Sequence, residues 1–209
     1  AKDFETYLPH QEDIHPGKEG YLLLANCFWK EMDLGQEIGF TGDIPEWAED
    51  EVNHLVAKGL IKGYEDGSFR AQSKVSRIHA AYIINRAVIF EYSEGPNPGY
   101  QDLTEDSEGF DVVAKLSKNG VLEGDNDHNF KPDDLLTRAQ AAKMIVKAFQ
   151  LKGESNTGFS DVEGHWAEKY IQILSAHGAI GGYPDHTFRP DQTITRAEFA
   201  KIVSFIINS

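Results

Sequence analysis

Apolar residues return at helical spacing in six stretches of the chain. Phe199, Ile202, Val203 and Ile206 fall at i, i+3, i+4 and i+7, the stripe of a helix with one buried face. Ala141, Met144, Ile145 and Ala148 repeat the stripe, and so do Ala80, Ile83, Ile84 and Ala87. Each of these three helices has a start signal. Thr195-Arg196-Ala197-Glu198 is a capping box, with Thr195 as N-cap and Glu198 reaching back. Thr137-Arg138-Ala139-Gln140 is its glutamine version, and Ser76-Arg77-Ile78-His79 keeps the cap without the box. A shorter stripe precedes each: Val52, Leu55 and Val56, then Val113 with Leu116, then Ile171 with Leu174. Gly59, Gly120 and Gly178 follow these stripes where a C-cap glycine belongs. An apolar pair, a second glycine and a turn come next, and a short extended piece ends at Phe69, Phe130 or Phe188.

The stripes are therefore copies of one unit. From Gly59, Gly120 and Gly178 the second half of each unit superposes without gaps. Gly63, Gly124 and Gly182 come four residues on, and the Phe residues six after that. Arg77, Arg138 and Arg196 follow eight residues later. Asp43, Asp102 and Asp161 open the units at a constant interval of 59 residues. The units occupy residues 40–95, 96–154 and 155–209. The links between them, such as Glu94-Gly95-Pro96-Asn97-Pro98-Gly99, are short and turn-rich, so the units are expected to form one body. Their striped second helices would meet in a bundle. Residues 1–39 are an N-terminal extension or a degenerate half-repeat, in which Leu24, Cys27, Phe28 and Met32 share the second helix's apolar register.

Composition narrows the function. The 209 residues are 40% hydrophobic, enough for a core, and carry a formal charge of −14. So acidic a surface argues against a nucleic-acid partner and against charge-driven docking on an anionic membrane. No apolar run approaches the ~18 residues of a membrane span, so no membrane insertion is expected. The single cysteine, Cys27, cannot form an intrachain disulfide or a zinc site, and reads as a small buried hydrophobe. No secretory signal opens the sequence, which suits an exported chain that has lost one or a part of a longer chain.

The units resemble the S-layer homology domain family. The third carries FSDVEGHWA and then GAIGGYPDHTFRPDQTITRAEFAKI. The second keeps Asp-Leu, the glycines, Phe-Lys-Pro and Thr-Arg-Ala-Gln, but has no tryptophan near residue 108. The first keeps Asp43, Trp47-Ala48, both glycines and Phe69. It has Ala71 in place of the proline and Val-Ser-Arg-Ile-His in place of Ile-Thr-Arg-Ala-Glu. The resemblance covers roughly residues 40–209. It implies a mainly α fold, three tandem repeats forming a pseudo-threefold spindle with a central helix bundle and three lobes. It also implies a secreted, non-catalytic module at the bacterial cell wall or S-layer, with no cofactor and no metal. Its partner would be an anionic, pyruvylated secondary cell-wall polysaccharide, typically with the pyruvate ketal on N-acetylmannosamine. The ligand would lie in grooves between lobes, with cargo or S-layer domains elsewhere in the chain.

That chemistry suits particular residues. Arg77, Arg138 and Arg196 stand one position after the caps Ser76, Thr137 and Thr195, and a guanidinium grips a carboxylate bidentately. A helix N-terminus adds amide N–H groups and the positive end of the dipole. Gly63, Gly124 and Gly182 would let main-chain amides approach a sugar, and Trp47, Trp166, Tyr64 or Tyr183 would cover its apolar face. Each feature also has a structural reading. The arginines pair with carboxylates such as Glu198 or the opening aspartates. The glycines serve turns, and the tryptophans belong to the lobe cores with an edge reaching the groove. The opening aspartates cap a helix or hold a turn. Asp125-Asn126-Asp127-His128-Asn129 lacks the glycine and glutamate of a calcium loop and reads as a solvated turn. Glu46 with Glu49-Asp50-Glu51 reads as a solvated helix face. The departures in the first unit cast most doubt on the site of Arg77, then on that of Arg138. A wall-active glycosidase and a self-assembly module are the competing functions.

Overall fold

A computed structural model of the chain describes residue 40 and residues 42–209; the half-repeat register over residues 20–34 and the burial of Cys27 lie outside them. Among the described residues there are six α-helices, two per repeat: α1 (Glu46–Ala57) and α2 (Arg77–Ala87), α3 (Phe110–Lys118) and α4 (Arg138–Ala148), α5 (Glu168–Ala176) and α6 (Arg196–Asn208). The fold is mainly α, with only isolated bridges in place of strands over this range.

The first helix of each repeat stops as its glycine dictates. Gly59, Gly120 and Gly178 have φ of 67°, 71° and 70°, the left-handed region that side chains resist. The next amide then turns back onto the helix: Leu60 N–H donates to Leu55 O at 2.9 Å, Val121 to Leu116 at 2.9 Å, and Ala179 to Leu174 at 3.0 Å. This is the Schellman arrangement. The second helices start on the expected caps, and both capping boxes, Thr137 with Gln140 and Thr195 with Glu198, are formed.

The lobe loops are held by the opening aspartates. Asp102 accepts the amides of Phe130 at 2.7 Å and Lys131 at 2.6 Å. Asp161 accepts those of Phe188 at 2.8 Å and Arg189 at 2.7 Å. Asp43 takes the amides of Phe69 and Arg70 in the same way. Of the two structural readings of these residues, holding a turn is the observed one. The clamp fixes a strained backbone, since Arg70, Lys131 and Arg189 sit at φ of 54°, 56° and 58°.

The repeats interlock in a cycle. α3 lies on α2 and α5 lies on α4, so each lobe helix covers the second helix of the repeat before it; α1 lies on α6 and closes the circle. The backbone repeats this order at the centre. Val75 N–H donates to Ile194 O at 3.1 Å, Ile194 to Leu136 at 2.9 Å, and Leu136 back to Val75 at 2.8 Å. All three side chains are buried in one core shared by the three repeats, with Phe69, Phe130 and Phe188 among its largest members.

Candidate functional site

The cycle decides what surrounds each repeated arginine. Arg77, at the first position of α2, reaches into the second repeat, where its Nε donates to Phe130 O at 2.8 Å and its Nη2 to Glu123 O at 3.1 Å. Arg138 reaches the third, with Nε on Phe188 O at 2.8 Å. Arg196 reaches the first, with Nε on Phe69 O at 3.0 Å and Nη2 on Lys62 O at 2.9 Å. Each guanidinium also lies over the phenylalanine ring whose carbonyl it holds, at 4.4–4.9 Å from the centroid.

The helix N-termini are not open to a ligand. The amides of Arg77 and Ile78 donate to Asp134 O and Pro132 O, both at 2.9 Å. Those of Arg138 and Ala139 go to Gln192 O and Pro190 O, and those of Arg196 and Ala197 to Ser73 O and Ala71 O. The third amide of each helix goes to the hydroxyl of Ser76, Thr137 or Thr195. The amides expected to meet a carboxylate instead join neighbouring repeats, because a buried N–H must find an acceptor and the adjoining loop supplies one.

Gly63, Gly124 and Gly182 serve close approach within the lobe. A Cβ on Gly124 would lie 2.6 Å from a Tyr100 ring carbon and 3.1 Å from Asn129 O. On Gly63 and Gly182 it would collide with the rings of Phe40 and Phe159. The tryptophans depart from the lobe-core reading. Trp47 and Trp166 are 47% and 55% exposed, whereas the following residues, Ala48 and Ala167, are fully buried. The small residue takes the inward position and turns the indole outward.

What remains is a groove between repeats. One of about 810 Å³ is lined by Arg77, the lobe loop of the second repeat, Gln140 and Lys143 of α4, and Trp166 of the third repeat. Its acidic lining is largely matched. Lys143 Nζ lies 2.6 Å from Glu123 and Lys131 Nζ 2.8 Å from Asp125. Those hydrogen bonds hold the Glu123 carboxyl below its usual range and that of Asp125 at about 2. Arg77 is half-buried and, among the described residues, has no ion pair. Burial lowers its pKa, with Tyr100 opposing, yet an arginine stays charged. A partly desolvated cation without a carboxylate, facing a groove beside an exposed indole, is arranged for an anionic ligand with an apolar face.

The other two arginines differ. Arg138 is 8% exposed and its Nη1 meets Glu198 Oε1 at 3.5 Å, with Tyr183 5.3 Å away across its face. Trp47 stands by Lys201, whose Nζ donates to the Trp47 carbonyl at 2.9 Å. Arg196 is half-buried beneath Tyr64, 5.1 Å from its ring, and makes no ion pair among the described residues. The repeat places His79 and Tyr82 where the Arg77 groove has Gln140 and Lys143. The departures of the first unit thus gather around Arg196, since each groove combines an arginine from one repeat with the loop and second helix of the next. Sequence reading missed Gln140 and Lys143. Their signal is a polar pair spaced i, i+3 on α4, opposite its apolar stripe.

No group of histidine, cysteine or acidic residues suited to a metal occurs among the described residues, and none of their helices is long and apolar enough to cross a membrane. Asp125 instead closes its own turn, accepting the amides of Asp127 and Asn129 at 2.9 Å.

Comparison with known proteins agrees with the repeat. A family model described as the S-layer homology domain matches residues 42–81, 99–142 and 158–200. An S-layer protein of Bacillus licheniformis is 33% identical over 168 residues, covering 78% of this chain and 19% of that protein. An uncharacterized cell wall amidase of Bacillus anthracis is 33% identical over 175 residues, 82% of this chain and 32% of that protein. A cellulosome-anchoring protein of Acetivibrio thermocellus is 34% identical over 154 residues, 69% of this chain and 34% of that protein. The chain therefore spans from 19% to 34% of the length of these relatives.

Proposed function

The chain belongs to the S-layer homology domain family, and on that premise we propose that it is a non-catalytic anchoring module. It holds a surface protein on the bacterial cell wall by binding an anionic wall polysaccharide in the grooves between repeats. The relatives bear names for an S-layer protein, an amidase and an anchoring protein, yet each match spans at least 69% of this chain and at most 34% of the relative. A part shared by proteins so differently named suits attachment better than turnover.

The observation that carries the reading is the half-buried Arg77, without an ion pair among the described residues, in a groove that also holds Trp166. A pyruvate ketal on N-acetylmannosamine fits this pair. Its carboxylate takes the guanidinium N–H groups left after the two main-chain carbonyls, and its sugar ring stacks on the indole. Gln140 and Lys143 stand within the same lining to reach ring hydroxyls. The other ligand candidates, Arg196 with Tyr64 and Arg138 with Tyr183 and Trp47, form the corresponding positions of the remaining grooves.

The test is calorimetric titration with wall polysaccharide, native and depyruvylated, on the wild type and on Arg77→Gln. Binding of the native glycan alone, weakened by the substitution, supports the reading. Binding that ignores both the pyruvate and Arg77 overturns it and favours protein–protein assembly.

A further inference from the structure

We infer that Tyr82 supplies the aromatic face of the Arg196 groove, in the place that Trp166 takes in the Arg77 groove. The inference rests on the proposed binding of an anionic sugar between repeats.

The fifth position after each repeated arginine carries Tyr82, Lys143 or Lys201. This position lies against the start of the lobe helix that covers its core helix. Lys201 Nζ sits 5.3 Å over the ring of Trp47, at the start of α1. Lys143 lines one groove together with Trp166, which precedes α5. Tyr82 meets the start of α3 at Gly109. Counted back from the cap glycines Gly59, Gly120 and Gly178, Gly109 stands where the other repeats have Ala48 and Ala167. Glu108 stands where they have Trp47 and Trp166. The repeat without an indole therefore covers the core helix that carries an aromatic ring at the same corner.

Gly109 fits this exchange. A Cβ there would lie 2.5 Å from Tyr82 Oη and 3.1 Å from Cζ, so the alanine of the other repeats would drive the phenol away from the helix start. Tyr82 is half-buried against α3, with the His79 ring tilted beside it at 6.5 Å. Burial raises its pKa, and Glu108 adds to the rise, so the phenol holds its proton and remains a hydrogen-bond donor.

By the repeat, the Arg196 groove has a cation at one end and this corner at the other. Arg196, half-buried and without an ion pair among the described residues, receives the ligand's carboxylate. The Tyr82 ring covers the apolar face of the sugar. The exposed Glu108 beside it accepts from an acetamido N–H or a ring hydroxyl and repels a second anion. A sugar with one carboxylate and an N-acetyl group is thus held in a single orientation.

The experiment titrates the full chain with the methyl glycoside of pyruvate-ketal N-acetylmannosamine and follows the Nε–H signals of Arg77 and Arg196 by NMR. Each of these groups is held by a main-chain carbonyl and reports on its own groove. Both signals are expected to shift in the wild type. Tyr82→Leu keeps apolar bulk against Gly109 but removes the ring. It should weaken the Arg196 curve by about tenfold or more, leaving the Arg77 curve and the unliganded Arg196 signal unchanged. Tyr82→Phe should keep most of the affinity, and thermal melting checks that both variants are folded. An Arg196 signal that ignores the probe while Arg77 responds overturns the inference, as does an Arg196 curve untouched by Tyr82→Leu. Either result leaves the anchoring reading intact. Two arginines silent to the probe in a chain that binds the whole polysaccharide overturn the pyruvate chemistry and the inference together.

Discussion

Arg196 donates its Nε to the main-chain carbonyl of Phe69 at 3.0 Å, across 127 residues of sequence. The last repeat thereby holds the first as Arg77 and Arg138 hold the second and third. Replacing Arg196 by Ala removes two hydrogen bonds from a charged donor and leaves two main-chain carbonyls to find water. The expected loss is about 2–3 kcal/mol, read by urea unfolding. Because the core is shared, the transition should remain single and shift as a whole.

Gly182→Ala tests whether the second glycine serves packing or ligand contact. Its added Cβ meets the Phe159 ring and lies 2.9 Å from Thr187 O. Overpacking of this kind costs about 1–3 kcal/mol, so the variant should melt earlier even without ligand. A ligand-contact role alone would leave the melting temperature unchanged.

Asp102 clamps two amides at once, those of Phe130 and Lys131. Asp102→Ala should cost about 2–3 kcal/mol, as for hydrogen bonds to a charged group. Asp102→Asn keeps one acceptor and should lose less. Chemical urea denaturation ranks the two.

Acid should loosen the lobe loops before the core. Asp125 is held at about 2, chiefly by its hydrogen bond to Lys131, and Asp185 at about 2, chiefly by those to Thr187 and Arg189. Both lie below the ordinary aspartate value of 3.8. A depressed folded-state pKa gives stability that is present above the ordinary value and lost as pH falls toward the depressed one. The loss therefore falls between about 3.8 and 2. Asp185 is exposed and Asp125 half-buried, both in lobe loops outside the core, so the effect is local, and carboxyl carbon shifts followed by NMR should show it while the core signals persist.

Trp166→Ala should weaken polysaccharide binding by about tenfold or more, in the range of a central aromatic contact, with little effect on stability because the indole is exposed. Trp47→Ala should change binding far less, since its groove holds the arginine already paired with Glu198. Binding isotherms of the two variants, set beside the wild type, decide the point.

The helices and their ends were legible in the sequence because each signal is local. The stripe of Phe199, Ile202, Val203 and Ile206, the Thr195–Glu198 box and the glycine at 178 act within a few residues of one another. The groove was only half legible. The repeat marked Arg77, Arg138 and Arg196, but their partners lie 43 to 134 residues away, and no local pattern encodes that distance. So the departures at Ala71 and His79 point, read within one unit, to Arg77, whereas in the folded chain they surround Arg196. The same blindness left the helix amides looking free, since Pro132, Asp134 and their counterparts come from the next repeat.

The closed ring of Val75, Leu136 and Ile194 bears on how the molecule would respond to tension. In an open array of repeats, force peels units away one after another from an end, because each touches only its neighbours. Here α1 rests on α6 and the central backbone bonds run in a circle. A pull entering near residue 42 passes at once into the third repeat, and no repeat can detach without breaking two interfaces together. Such a molecule should yield in one abrupt event at high load, a property suited to a tether.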